Sequence, residues 1–488
     1  MSKSILKNLS YNVLLQIVLM ILPLVSIPYV SRVLGAEGIG TYSFTLSITQ
    51  YFIILGTLGI ALYGNRQIAY VRDDVHEMSR TFWSIFFLRL ASTSIALISY
   101  YIIFWFDTSY RDIRLLQSIH IIAAIFDITW LFIGIEDFKR IVTRNLLIKI
   151  LGLIAVFVFV NDVNDVFIYT LINVGMSVFS SLIMWLYVPK IIVKVSIKRS
   201  DLKQHFSPVL RLFIPQIASQ VYVLLDKTML GYLADVEQVG FYTQAERIIK
   251  SVLEVISALG VVMLPRMSNI FASGNFIKMK EYLNTSLVGV SYVAVPMVLG
   301  IMGVTIEFVP WFFGNGFNEV KLLMIMLSPI LLFISLSSVL GVQYLLPSNR
   351  VNEFTISIVS GAFLNLMLNW LLIPRLGAIG AVIGTLSAEF TVFSIQLFFL
   401  RKTIDFRKLL RGLVRFLIAG ILMLAAVRII GAFGTESSFT SIIQVSIGVI
   451  IYIALLSLMK DETNRQALLI IWKMVYSLKN RIGFLKSH

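Results

Sequence analysis

Two apolar helices read from Pro208 to Pro265 carry six ionisable side chains: Asp226 and Lys227 in the first, Glu246, Arg247, Lys250 and Glu254 in the second. In hydrocarbon each such group costs about 2.5–3.5 kcal/mol at a helix centre on insertion scales, so all six need partners or a water-filled cavity. Two chemistries fit. Cations facing a cavity can hold an anionic group, and a carboxylate near the middle of a span can take and release a proton. Asp226, Glu254 and Glu389, the last near the middle of a later span, are the candidates for ion coupling. The structural reading stands beside both. The six charges sum to zero, Glu246 with Lys250 and Lys250 with Glu254 are i,i+4 pairs, and for Glu389 a hydrogen-bonded, permanently protonated acid is the favoured reading. Asp226 and Lys227 are neighbours that do not face one another on a helix, so at least one looks elsewhere for a partner.

Other chemistries are absent from the sequence. The chain has no cysteine, and His76, His120, His205 and His488 lie far apart, so no metal-ligand spacing exists and no cofactor is expected. There is no Gly-rich phosphate loop with a lysine, no HExxH and no large loop to house a catalytic site. ATP hydrolysis has no place here.

The elements that position these residues follow from composition. Of 488 residues 58% are hydrophobic and 14% charged, with apolar runs of membrane length almost end to end. An all-α polytopic membrane protein of about fourteen transmembrane helices is expected. The net charge of +15 does not point to nucleic acid. Lys and Arg gather in every second connection, as with Lys139, Arg140 and Arg144, the run from Lys190 to Lys203, and Arg401 to Arg411; this is the positive-inside pattern of a bacterial inner-membrane protein with both termini cytoplasmic. Lys149 falls just inside the span after Arg144.

The longest basic connection separates two similar halves. Val33-Leu34-Gly35-Ala36-Glu37-Gly38-Ile39-Gly40-Thr41-Tyr42 and Leu233-Ala234-Asp235-Val236-Glu237-Gln238-Val239-Gly240-Phe241-Tyr242 each join the first and second spans of a half. The organisation read from this is a six-helix lobe over 1–189, a basic linker over 190–207, a second six-helix lobe over 208–400, two further helices over 401–460 and a basic tail over 461–488. In the tail Leu468, Ile471, Trp472, Val475, Leu478 and Ile482 recur at helical spacing, which predicts an amphipathic helix on the inner leaflet. Pro28, Pro215, Pro296 and Pro329 are expected to interrupt spans.

Four segments in this order carry a resemblance: Ser31 to Gly40 after a first span containing Pro28, Asp226 to Gly231, Pro265-Arg266-Met267-Ser268, and Pro374 to Ala381. Together they resemble the Wzx-type polysaccharide repeat-unit flippases of the multidrug/oligosaccharidyl-lipid/polysaccharide (MATE-like) transporter superfamily. The resemblance implies a two-lobed transporter that moves an undecaprenyl-diphosphate-linked oligosaccharide from inner to outer leaflet by alternating access, for capsule, O-antigen or exopolysaccharide synthesis. Its partners would be that lipid-linked oligosaccharide, the bilayer, and a polysaccharide polymerase with glycosyltransferases. Such a substrate needs cations for its diphosphate, and Lys227, Arg247 and Lys250 are the expected receivers. Lys250 lies roughly 15 Å along its helix from Gly240, near the midplane. Arg89 and Asp127 are matched in depth and opposite in sign, which favours a structural ion pair over a phosphate contact by Arg89. Asn365 and Asn369, one turn apart, either bridge helices or touch sugar hydroxyls. Within transporters the alternatives are a peptidoglycan-precursor flippase, a teichoic-acid exporter and a multidrug antiporter; the last is weakened because the first helix has Gln16 and Arg32 but no acid. A membrane-embedded polysaccharide polymerase is the alternative from another class. It would place Arg or His clusters in sizeable external loops, which this sequence lacks.

Overall fold

The computed structural model describes residues 3–261, 263–469 and 472–473, and among them every regular element is helical. In chain order the helices are α1 (Lys3–Thr57), α2 (Ile60–Val71), α3 (Val75–Phe104), α4 (Arg111–Phe126), α5 (Thr129–Gly134), α6 (Phe138–Phe159), α7 (Val166–Ile183), α8 (Arg199–Leu233) and α9 (Val236–Val261). They continue as α10 (Met263–Ala272), α11 (Phe276–Phe313), α12 (Asn318–Leu327), α13 (Ile330–Ser337), α14 (Val351–Leu376), α15 (Ala378–Leu400), α16 (Phe406–Phe433) and α17 (Ser438–Leu458). Ten stretches among the described residues are long and apolar enough to cross a membrane, or eleven with the bent pair Asn315–Leu327 and Ile330–Leu345 taken as one span. Counting the two arms of α1 separately and adding α8 and α9 is compatible with the fourteen expected.

Span boundaries differ from the sequence reading where the backbone breaks. The second apolar run, over about 41–63, is divided: its helix stops at Thr57, because Leu58 and Gly59 take φ of 48° and 71° before α2 begins. The fourth, expected over 113–134, divides at Asp127, whose extended backbone separates α4 from α5. Of the four prolines, Pro329 lies at the break of the bent pair, a bend of 42°. Helices α1, α8 and α11 run through Pro28, Pro215 and Pro296, as membrane helices tolerate when nearby groups satisfy the freed carbonyl. Residues 462–469 of the tail are helical, while most of the expected amphipathic helix, including Ile471, Val475, Leu478 and Ile482, lies outside the described residues.

By contact the chain forms two compact units. The first comprises residues 1–243 with 368–381. In it α1 is broken at Gly35, where φ is 67° and ψ −178°, values that glycine adopts without a Cβ penalty. The repeat seen in sequence meets itself here. A Cβ on Gly40 would overlap the Val236 carbonyl, and a Cβ on Gly240 would overlap the Ala36 carbonyl. Positions 36 and 40 thus face 240 and 236 in a reciprocal crossing. The likeness extends outward: Gly38 packs on Val166 at the start of α7, and Gln238 accepts a 3.0 Å hydrogen bond from the Ala378 N–H at the start of α15.

The break at Asp127 is satisfied from neighbouring helices. Arg89 Nε of α3 donates to the Ala124 carbonyl at 2.7 Å, and Trp185 Nε1 donates to the Phe126 carbonyl at 2.8 Å. Non-helical backbone at membrane depth needs such donors. Around it packs an aromatic core that includes Phe82, Phe86, Trp130 and Trp185. The basic linker is tied down: the Val193 N–H donates to Ser79 Oγ and Trp83 Nε1 to the Val193 carbonyl. At the start of α8, ahead of the spanning stretch, the Lys198 N–H donates to Asp201 and holds its carboxyl below the usual carboxylate range.

The second unit comprises residues 244–367 with 382–488. Helices α11, α16 and α17 pack around Val295, Phe416, Met423 and Tyr452. A buried carboxylate joins all three, with Arg428 Nη1 2.7 Å from Glu307 Oε2 and Gln444 Nε2 donating to the same oxygen at 3.0 Å. Asp461 takes Arg415 at 3.3 Å and accepts the Thr463 and Asn464 N–H groups, which starts the helical turns of the tail.

Candidate functional site

Asp226 lies seven residues before the end of α8, Tyr242 six after the start of α9 and Asn369 seven before the end of α14. At 1.5 Å per residue each is about 10 Å inside its helix. They meet. The Tyr242 hydroxyl donates to Asp226 Oδ2 at 2.5 Å, and Asn369 Nδ2 donates to Oδ1 at 2.7 Å. Asp226, Tyr242 and Asn369 are 5%, 1% and 0% exposed, so each carboxyl oxygen has a hydrogen bond in a buried setting, where such bonds are strengthened. All three belong to the first unit. Nearby on α8, Thr228 Oγ1 lies 2.9 Å from Ser47 Oγ of α1.

The other expected residues are distributed as follows. Lys227 is half-buried on α8 in the first unit. Arg247, Lys250 and Glu254 stand on α9 in the second unit, as do Asn365 on α14 and Glu389 on α15. Lys250 Nζ pairs with Glu246 Oε1 at 2.6 Å, the first of its two i,i+4 options, while the Lys250 side chain stays 46% exposed. Arg247 Nη1 donates to Gln244 Oε1 at 3.3 Å, and Glu254 is exposed. Asn365 is fully buried and Glu389 half-buried. Arg89 is brought to Asp127, with Nη2 3.7 Å from Oδ2, and is itself buried.

Sequence reasoning passed over Tyr242 as a ligand of Asp226. A tyrosine in an apolar helix draws no notice, yet its distance from its helix end is within one residue of that of Asp226, and this matched depth was the available signal. Glu307 was missed because its partners Arg428 and Gln444 lie more than a hundred residues away.

A sequence profile of the family described as polysaccharide biosynthesis protein matches residues 5–271, more than half of the chain. The chain belongs to the polysaccharide biosynthesis protein family. This family member is 25% identical over 407 residues to the "Putative O-antigen transporter" of Escherichia coli (strain K12), covering 82% of this chain and 97% of that one. A shorter match, 24% over 143 residues, joins 29% of it to 26% of the lipid II flippase MurJ of Bacillus subtilis (strain 168). Among solved structures, lipid II flippase MurJ in an inward closed conformation superposes with a TM-score of 0.67 at 16% identity, covering 88% of this chain and 97% of that one. An inward-facing multidrug resistance MATE transporter of the MOP superfamily superposes at 0.57 and 14% identity, covering 79% and 98%. At these identities the superpositions show the fold: a multi-pass, MurJ- and MATE-like membrane protein. The proteins it resembles are transporters and flippases.

Proposed function

We propose that the protein is a flippase that moves undecaprenyl-diphosphate-linked oligosaccharide from the inner to the outer leaflet of a bacterial cytoplasmic membrane by alternating access. The observation that carries this reading is the match across nearly the full length of the E. coli O-antigen transporter relative. Charge placement supports it. Lys227, Arg247 and Lys250 are cations on otherwise apolar helices, suited to a diphosphate that must leave water. Asp226, held between Tyr242 and Asn369, is the favoured ion-coupling carboxylate over Glu254, which is exposed, and Glu389. Asn365 and Asn369 serve as polar contacts, the second through Asp226. The alternating halves are the two six-helix lobes, 1–189 and 208–400, with polymerase and glycosyltransferases as functional partners.

The test is flipping of a fluorescent undecaprenyl-diphosphate oligosaccharide in liposomes containing purified protein. Wild type is expected to transport, and Arg247→Ala/Lys250→Ala to lose about tenfold or more in rate, equivalent to about 1.4 kcal/mol. Undiminished transport by the folded double variant sinks the diphosphate role. The MurJ-like fold favours one second reading, a peptidoglycan-precursor carrier. Faster flipping of lipid II than of the oligosaccharide substrate would select it.

A further inference from the structure

The first unit contains a cavity of about 540 Å³ between α1, α4, α6 and α7, a volume that takes a small organic ligand. Its wall includes none of the residues proposed above for diphosphate or ion coupling. Two cations line it. Lys149 stands eleven residues into α6, about 16 Å from the helix start, and makes no ion pair or hydrogen bond among the described residues. Its side chain is exposed along an otherwise apolar span, and an ammonium there calls for a ligand or water. Arg144, itself 9% exposed, spends three of its N–H groups: Nη1 on Thr129 Oγ1 at 3.0 Å, and Nε and Nη2 on Asn145 Oδ1 at 3.1 and 2.9 Å. A guanidinium has five, so two stay available.

The acid on the wall is already balanced. Asp127 faces Arg89 and accepts from the Thr129 N–H and hydroxyl, so the cavity keeps a positive surplus. Beside apolar side chains such as Leu22, Ile53, Leu153 and Met176, and beside His120 and Tyr169, the wall carries hydroxyl and amide groups. Ser177, Ser180 and Ser181 lie along α7, and Asn173 donates to the Tyr169 carbonyl, which leaves its Oδ1 to accept. A lone phosphate would use the cations and leave this wall idle. A sugar ring bearing a carboxylate uses both.

Resting on the flippase reading, we propose that this cavity is a subsite for an acidic sugar, a hexuronate, of the carried glycan. Its carboxylate lies against Lys149 and Arg144, and its hydroxyls against Asn173, Asp127 and the α7 serines. The subsite would select which repeat units are carried.

The experiment is isothermal titration of the full-length protein in detergent with sodium glucuronate, glucose and inorganic phosphate. Glucuronate is expected to bind, glucose about tenfold more weakly or worse, and Lys149→Gln to weaken glucuronate about tenfold with an unchanged melting temperature. Asn173→Leu is expected to weaken glucuronate while leaving phosphate binding as it was. No glucuronate binding by wild type, equal binding by Lys149→Gln, or phosphate binding as tight as glucuronate would each overturn the subsite. The outcome separates from that of the function above. A protein that flips oligosaccharide without binding glucuronate loses only the subsite, and one that binds glucuronate through Lys149 without flipping keeps a sugar-acid site and loses the flippase reading.

Discussion

Tyr242 and Asn369 both donate to Asp226, and each bond has its own consequence. Asn369→Leu removes a donor from a buried carboxylate oxygen, at a cost of about 1–3 kcal/mol. Tyr242→Phe removes the other at comparable cost. Both are read as lower melting temperatures in detergent. Asp226→Asn keeps the shape and deletes the charge, so transport in liposomes is expected to continue under a substrate gradient but to lose its response to an imposed pH or sodium gradient. A retained response would move coupling elsewhere. Asp226 was legible in the sequence because an acid among leucines and valines is costly enough to stand out. Its partners were not, since Tyr and Asn are tolerated in membrane helices for many reasons. Lys149 was seen only as a cation just inside a span; that it makes no ion pair or hydrogen bond among the described residues is a fact of packing, invisible in a string of residue types.

At the level of elements, breaks in helices matter more than the helices. The division of α4 from α5 at Asp127 escaped the sequence because apolar residues continue through Ile128, Trp130, Leu131 and Phe132. The chain shows no glycine or proline there. What holds the break open is a pair of donors from elsewhere, Arg89 and Trp185. The break at Gly35 was legible, because the motif around it recurs two hundred positions later. The reciprocal crossing of the two copies was not, since likeness of sequence does not say that the copies touch. Gly40→Ala and Gly240→Ala each place a methyl group on a backbone carbonyl. Overpacking of this kind costs about 1–3 kcal/mol, and both variants are expected to melt earlier than wild type. Gly175→Ala, with open space around the added carbon, is the control expected to melt normally.

For the whole molecule, composition and the alternation of basic connections were enough to read an all-helical membrane protein of this class, because the bilayer permits few other spanning structures. The orientation inferred from those connections places the C-terminus in the cytoplasm. A green fluorescent protein fused after His488 is expected to fluoresce in cells, and an alkaline phosphatase fusion at the same point to be inactive; the reverse pair of results would invert the topology. The division into compact units, 1–243 with 368–381 and 244–367 with 382–488, was beyond the sequence, since it cuts through α9, α14 and α15 at places where the apolar pattern is continuous. The crossing of Gly40 on Val236 and Gly240 on Ala36 also sets a condition on hybrids. A chimera that takes residues 1–189 from a relative and the rest from this chain inherits half of each contact from each parent. It is expected to assemble only when the donor also carries glycine at the position of Gly40, so steric compatibility of two short motifs, and not overall identity, would decide which halves of such transporters can be exchanged.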